Sequence, residues 1–162
     1  MYNKIFIIPI IFAASFINGC GFHLAGEGDI SGELSNTHIK TSSSSNEFLH
    51  LLEKNLRYNK INVVDANSAT AWLRILREET EREVLTVDSD GKAREYELML
   101  RITFEVTRPD NSILLKQQVI DISRDFVFEK SSLLGANEEE KELFKEMRND
   151  AAKLVVYRLQ TI

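Results

Sequence analysis

One thiol and three imidazoles are the side chains in these 162 residues best suited to catalysis or metal binding. The thiol, Cys20, sits between Gly19 and Gly21, directly behind an apolar leader. The imidazoles are His23, His38 and His50. They fall in a glycine-rich stretch, at the end of a short extended piece and in a helical pattern, with no shared metal-ligand spacing. No Ser-His-Asp order stands out, and no phosphate-loop or dinucleotide glycine pattern appears. Carboxylates are abundant, so chance pairs are expected. No assembled catalytic set, metal site or cofactor site emerges, and the sequence reads as a non-enzyme. The chemistry that remains is covalent attachment at Cys20.

The residues before Cys20 say what would be attached. Lys4 supplies a positive start, and Ile5 to Ile17 is an apolar run broken only by Pro9 and Ser15. That run is short for a membrane span and is followed by small residues, the pattern of a secretory signal peptide. With Ile17 at −3, Gly19 at −1 and Cys20 at +1, the junction resembles a bacterial lipobox. Small residues give a signal peptidase access. The thiol then takes a diacylglycerol, and the new amino terminus takes a further acyl chain. One chain holds a membrane only marginally; two or more hold it stably. In lipoproteins of this kind an Asp after the cysteine favours the inner membrane; Gly21 favours the outer one. Residues 1–19 are thus expected to be a signal peptide.

Composition bounds the rest. The net charge is −5, which disfavours a nucleic-acid partner, since phosphates demand clustered Lys and Arg. One cysteine makes no internal disulfide. Five of the seven glycines lie between Gly19 and Gly32, so residues 20–35 read as a lipidated flexible tether. Residues 36–162 are long enough for one domain with its own core.

The elements of that domain follow from periodicity. Asn36 to Thr41 reads as a first strand with Ile39 inward. Ser44 and Glu47 have capping-box spacing ahead of a helix from Asn46 to Asn59, with Phe48, Leu49, Leu52 and Leu56 on one face. Ile61 to Val64 is a short extended piece. Ala71 to Glu79 alternates, with Arg74 and Glu78 on one side, and Glu83 to Val87 continues it after an irregularity. Asp90-Gly91 marks a hairpin in which both residues can take positive φ. The clearest alternation follows: Tyr96, Leu98, Leu100, Ile102, Phe104 and Val106 face one way, charged residues and Thr the other. Arg108 to Asn111 turns the chain into a strand over Ser112 to Phe128. A loop over residues 131–136 precedes a last helix capped at Asn137, with Glu140 at its third position and Leu143, Phe144, Met147, Ala151, Leu154, Val155 and Leu159 as its stripe. The order β-α-β-β-β-α predicts an α+β two-layer sandwich: a four-stranded, mainly antiparallel sheet with two helices packed on one face.

Several segments, taken in order, resemble one family. Cys20-Gly21-Phe22-His23-Leu24 looks like the mature start of the lipopolysaccharide-assembly lipoprotein LptE family. Leu56-Arg57-Tyr58-Asn59-Lys60-Ile61 resembles the end of its first helix. Asp90-Gly91-Lys92-Ala93-Arg94-Glu95-Tyr96 resembles its hairpin, and Ser123-Arg124-Asp125-Phe126 the end of the next strand. Lys145 to Ala152 resembles its closing helix.

The resemblance implies an outer-membrane lipoprotein, facing the periplasm and held by its lipid. Its implied partner is the large LptD β-barrel, in whose lumen it sits as a plug and assembly partner during lipopolysaccharide transport and insertion into the outer leaflet. A domain of about 140 residues has a radius of gyration of about 15 Å. Only a very large barrel could hold it, and barrels of about 26 strands exist. Lipopolysaccharide is anionic, so direct contact calls for Lys or Arg; Lys92 and Arg94 at the hairpin and Lys130 before the last helix are the candidates. No metal or dissociable cofactor is implied. The other reading is a lipid-anchored periplasmic adaptor for a different envelope assembly machine, with the same lipobox and sandwich but no barrel.

Overall fold

The longest alternation in the sequence becomes the middle of a sheet in the computed structural model, which describes residues 32–127 and 133–162. The chain runs β1 (Asn36–Thr41), α1 (Asn46–Tyr58), β2 (Asn62–Val63), β3 (Ala71–Val87), β4 (Ala93–Thr107), β5 (Ile113–Val127) and α2 (Leu133–Leu159). The spatial order is β2-β1-β3-β4-β5. β1 is parallel to both its neighbours, whereas β3, β4 and β5 are antiparallel. The two-layer α+β sandwich is as expected, but the sheet has five strands, not four. The piece at Ile61 to Val64 contributes the fifth, because Asn62 N–H donates to Ser35 O at 2.9 Å and Val64 N–H to Thr37 O at 3.1 Å.

Both helices cover one face. Phe48, Leu52 and Leu56 of α1 and Met147, Ala151, Val155 and Leu159 of α2 meet Leu73, Ile75, Leu98, Leu100, Ile102, Phe104 and Val106 of the sheet, all fully buried. Each large side chain so buried contributes about 1.5–3 kcal/mol of transfer free energy. On α2 the stripe is rotated from the expected one: Ala152 and Val156 are buried, while Leu154 is 42% exposed.

The ends of α1 are fixed by local chemistry. Ser45, not Ser44, is the N-cap, its hydroxyl accepting from Phe48 N–H at 3.2 Å. Ser44 instead shares a 2.7 Å hydrogen bond with Thr41. At the other end Ile61 N–H reaches Leu56 O (3.0 Å) and Lys60 N–H reaches Arg57 O (3.1 Å), with Lys60 at φ 63°. This is a Schellman closure with Lys in the place that usually takes glycine.

Two further expectations change. β3 is continuous across Glu79 to Val87, and its first irregularity lies between Ile75 and Arg77. The extra residue there, Leu76, reverses the alternation, so Glu78 turns to the core side opposite Ile102 instead of sharing a face with Arg74. The last helix begins at Leu133, so Asn137 lies inside it and is not its cap. Glu140 bonds Arg82 of β3 at 2.8 Å instead of closing a capping box.

Candidate functional site

The sheet has two opposite ends, and two of the candidate side chains, Lys92 and Arg94, stand at one of them. The turn from β3 to β4 is tied by Asp88. Its N–H donates to Lys92 O (2.8 Å), its carbonyl accepts from Gly91 N–H (2.9 Å), and its carboxylate accepts from the N–H groups of Asp90 and Lys92, each at 3.0 Å. Gly91 has φ 76°. Asp90 does not share that conformation, so the expected pair of positive φ angles reduces to one. The turn is a three-residue loop with a left-handed third residue, a common hairpin closure.

Lys92 follows that glycine and Arg94 follows two residues later; both are exposed. Arg94 falls where the β3–β4 register shifts, between the pairs Thr86↔Glu95 and Val87↔Ala93. Such a bulge re-aims a side chain and increases local twist. No ion pair holds either cation among the described residues. Around them, Val84, Leu85 and Val87 are 54%, 47% and 58% exposed. The tip therefore offers two cations beside apolar side chains, a surface suited to an anionic amphiphile. Cys20, residues 20–31 of the expected tether, Lys130 and the start of the expected 131–136 loop lie outside the described residues. Residues 32–35, expected to belong to the flexible tether, are instead part of the domain, with Gly32–Leu34 in a 3-10 turn and Leu34 fully buried in the core.

Behind the tip, Arg82 stacks over Tyr96 with its guanidinium 4.7 Å from the ring centre while it bonds Glu140. Tyr96 stacks on Phe126 at 6.4 Å. These contacts fasten α2 to β3 and tie β3, β4 and β5 together.

The other end is closed down by ion pairs. The β4–β5 turn repeats the same backbone form: Arg108 N–H to Ser112 O at 2.8 Å, Asn111 N–H to Arg108 O at 2.9 Å, and Asn111 at φ 66°. Here the cation is held. Arg108 reaches both oxygens of Glu33, at 2.8 and 3.0 Å, which raises the guanidinium pKa. Thr70 Oγ1 donates to Glu33 O at 2.6 Å. The chain thus enters β1 beside the β4–β5 turn. β4 alone, fifteen residues long, separates that entry from the Lys92 tip, a distance of about 50 Å.

Glu78 was missed as an organising residue. Its side chain is 5% exposed and takes the Ser45 N–H at 2.6 Å, the Ser45 hydroxyl at 3.0 Å and Arg148 Nε at 2.7 Å. Arg148 also bonds Glu47 at 3.0 Å. One carboxylate therefore joins the α1 N-terminus, β3 and α2. No sequence period announced it, because the Leu76 bulge alone turns it inward. Of the histidines, His38 lies 3.0 Å through Nδ1 from Val64 O and His50 is exposed. No group of three or more metal-ligating side chains occurs among the described residues, and no helix there is long and apolar enough to cross a membrane.

Comparison with known proteins gives this arrangement a family. The model of the LptE family, described as lipopolysaccharide-assembly, matches residues 35–159. The LPS-assembly lipoprotein LptE of Photorhabdus laumondii is 28% identical over all of this chain and 88% of its own length. That of Pectobacterium atrosepticum is 26% identical with the same coverage. Among solved structures, rare lipoprotein B from Shewanella oneidensis aligns with a TM-score of 0.65 and 29% identity, over 76% of this chain and 94% of that one. A minor lipoprotein from Acinetobacter baumannii, 18% identical, shares the fold with a TM-score of 0.68 over 79% and 92% of the two chains. The chain belongs to the LptE family of lipopolysaccharide-assembly proteins.

Proposed function

We propose that this LptE-family chain is an outer-membrane lipoprotein, acylated at Cys20, that pairs with an LptD-type β-barrel as plug and assembly partner. It contacts lipopolysaccharide through Lys92 and Arg94 at the β3–β4 tip, with Lys130 as a third cation. The single observation that carries the reading is the opposition of the two ends. The tether enters beside the β4–β5 turn, and two exposed cations stand about 50 Å away at the far end of the sheet. A bilayer core is about 30 Å thick. A domain tethered to the periplasmic leaflet at one end can therefore carry its tip across to the level where lipopolysaccharide is inserted, provided a barrel lumen encloses it. The polar outer sheet face suits a water-lined lumen, whose wall is itself polar.

The test is affinity purification of the tagged full-length protein from detergent-solubilised outer membranes, followed by mass spectrometry. A large β-barrel in near-equal amount is the expected companion, together with a diacylated and N-acylated Cys20. Folded, acylated protein that brings other envelope components and no barrel would replace this reading with the adaptor.

A further inference from the structure

The two edges of the sheet are unlike. β2, at one edge, is two residues long. β5, at the other, is fifteen residues long and has no strand beyond it among the described residues. A long unpaired edge is a template for another strand, and proteins normally blunt it with bulges, prolines or lysines. On β5 the bulges and the one lysine lie at the start, and the rest carries the charged residues Asp121, Arg124 and Asp125. The register with β4 slips twice between Ile113 and Gln118, a stretch that includes Lys116. From Gln118 to Val127 each residue pairs one-to-one with β4, with no proline and no lysine. Ten regular residues span about 33 Å.

The direction of the free groups follows from the turn. Arg108 N–H donates to Ser112 O, so at Arg108 the β4 backbone points toward β5. The register slips add residues to β5 and none to β4, so even-numbered β4 residues keep that direction. Their partners Gln118, Ile120, Ile122, Arg124 and Phe126 point back at β4. The N–H and C=O groups of Val119, Asp121, Ser123, Asp125 and Val127 therefore project from the open edge. Their side chains share the outer sheet face, apolar at both ends and acidic between. Val119 and Val127 are 47% and 51% exposed. Beside them is a depression of about 310 Å³ lined by Glu79, Glu81, Glu97, Arg101 and Asp121, with Met99.

We propose that the Gln118–Val127 edge receives an extended segment of the barrel partner by strand addition, with a basic residue opposite Asp125 and apolar residues opposite Val119 and Val127. The inference rests on the barrel reading above. Charge selects the occupant. A second copy paired antiparallel about Ser123 would set Asp121 against Asp125 at both crossings, and like charges directly opposite are destabilising. Arg101 already bonds Asp121 at 2.6 Å, yet Glu79, Glu81, Glu97, Asp121 and Asp125 keep this face net acidic, so a basic segment would meet Asp125 and the acidic depression while main-chain bonds supply the register.

Hydrogen–deuterium exchange on the acylated full-length protein, free and in the purified barrel complex, tests it. The expected result is that amides of residues 119, 121, 123, 125 and 127 exchange fast in the free protein and slow at least about tenfold in the complex. Ser123→Pro removes one outward amide that points away from β4 and has no strand beside it among the described residues, whereas Ser123→Ala keeps it. Ser123→Pro should lower barrel recovery, and Ser123→Ala should not. Absence of any barrel with the wild-type protein overturns the partnership itself. A barrel complex in which these amides exchange as in the free protein overturns the edge and leaves the partnership standing. Protection already present in the free protein assigns the edge to this chain's own N-terminal segment or to a second copy, and also overturns the proposal. If Ser123→Pro fails to fold, the wild-type exchange comparison decides alone.

Discussion

The β3–β4 and β4–β5 turns are built alike and used differently. Each is a three-residue loop with a left-handed third position, Gly91 in one and Asn111 in the other. Each is braced by an aspartate side chain, Asp88 accepting the N–H groups of Asp90 and Lys92 in the first and Asp110 accepting that of Ser112 in the second. Arg108 is pinned by Glu33, so the chain entry, β1 and the β4–β5 turn form one block. Lys92 and Arg94 have no such carboxylate partner among the described residues. Turn geometry therefore does not decide role; what the neighbouring cation is tied to does.

The largest expected effect lies in the block that carries the free tip. Glu78→Gln or Arg148→Met removes the ion pair from a nearly buried cluster in which Glu47 and Ser45 keep their bonds to the remaining member, at a cost of about 2–3 kcal/mol. That corresponds to a fall in Tm of roughly 10 °C. Thermal unfolding of both single variants checks it; a change within error would mean that the clamp contributes nothing.

Charge reversal at the tip should do the opposite. Lys92→Glu with Arg94→Glu is expected to leave Tm unchanged while weakening lipopolysaccharide binding by the purified protein. Arg108→Glu should lower Tm and spare that binding. A tip variant that unfolds, or a folded one that binds as well as wild type, would break the contrast between the ends.

The shared backbone form has its own consequence. Gly91→Ala and Asn111→Ala should each cost about 1 kcal/mol from the left-handed conformation. A Cβ on Gly91 meets nothing within 4 Å, so no clash adds to it. Clearly different costs in denaturant unfolding would show that the two turns are less alike than their hydrogen bonds.

The smallest effect is set by pH. Lys153 first, and Arg124 from β5 as well, hold the Asp150 carboxyl below its ordinary value against the opposing effect of burial. A lowered carboxyl contributes stability that is complete at neutral pH and is lost as pH falls through the lowered value. Asp150→Asn should flatten that part of the acid unfolding profile, and an unchanged profile would remove the contribution.

Much of this was legible in the sequence, for physical reasons. The alternation from Tyr96 to Val106 and the stripe Phe48, Leu52 and Leu56 are burial patterns with one solution each, and both strand and helix formed as read. The parallel pairing of β1 and the two-residue β2 carry no periodic signal, since their bonds are made by backbone groups far apart in the chain. The Leu76 bulge was unreadable for a related reason: one inserted residue reverses the face of Glu78 without changing composition. At the candidate site, the hairpin that exposes Lys92 and Arg94 was legible from the Asp-Gly turn. That Arg108 is tied down and they are not depends on Glu33, seventy-five residues away from Arg108.

The contrast between the two ends is tested most directly by a photo-crosslinking side chain placed at Ser89 in one strain and at Asp110 in another, in the full-length protein in growing cells. The account predicts lipopolysaccharide adducts from position 89 and none from position 110. Equal labelling, or labelling from position 110 alone, would contradict it.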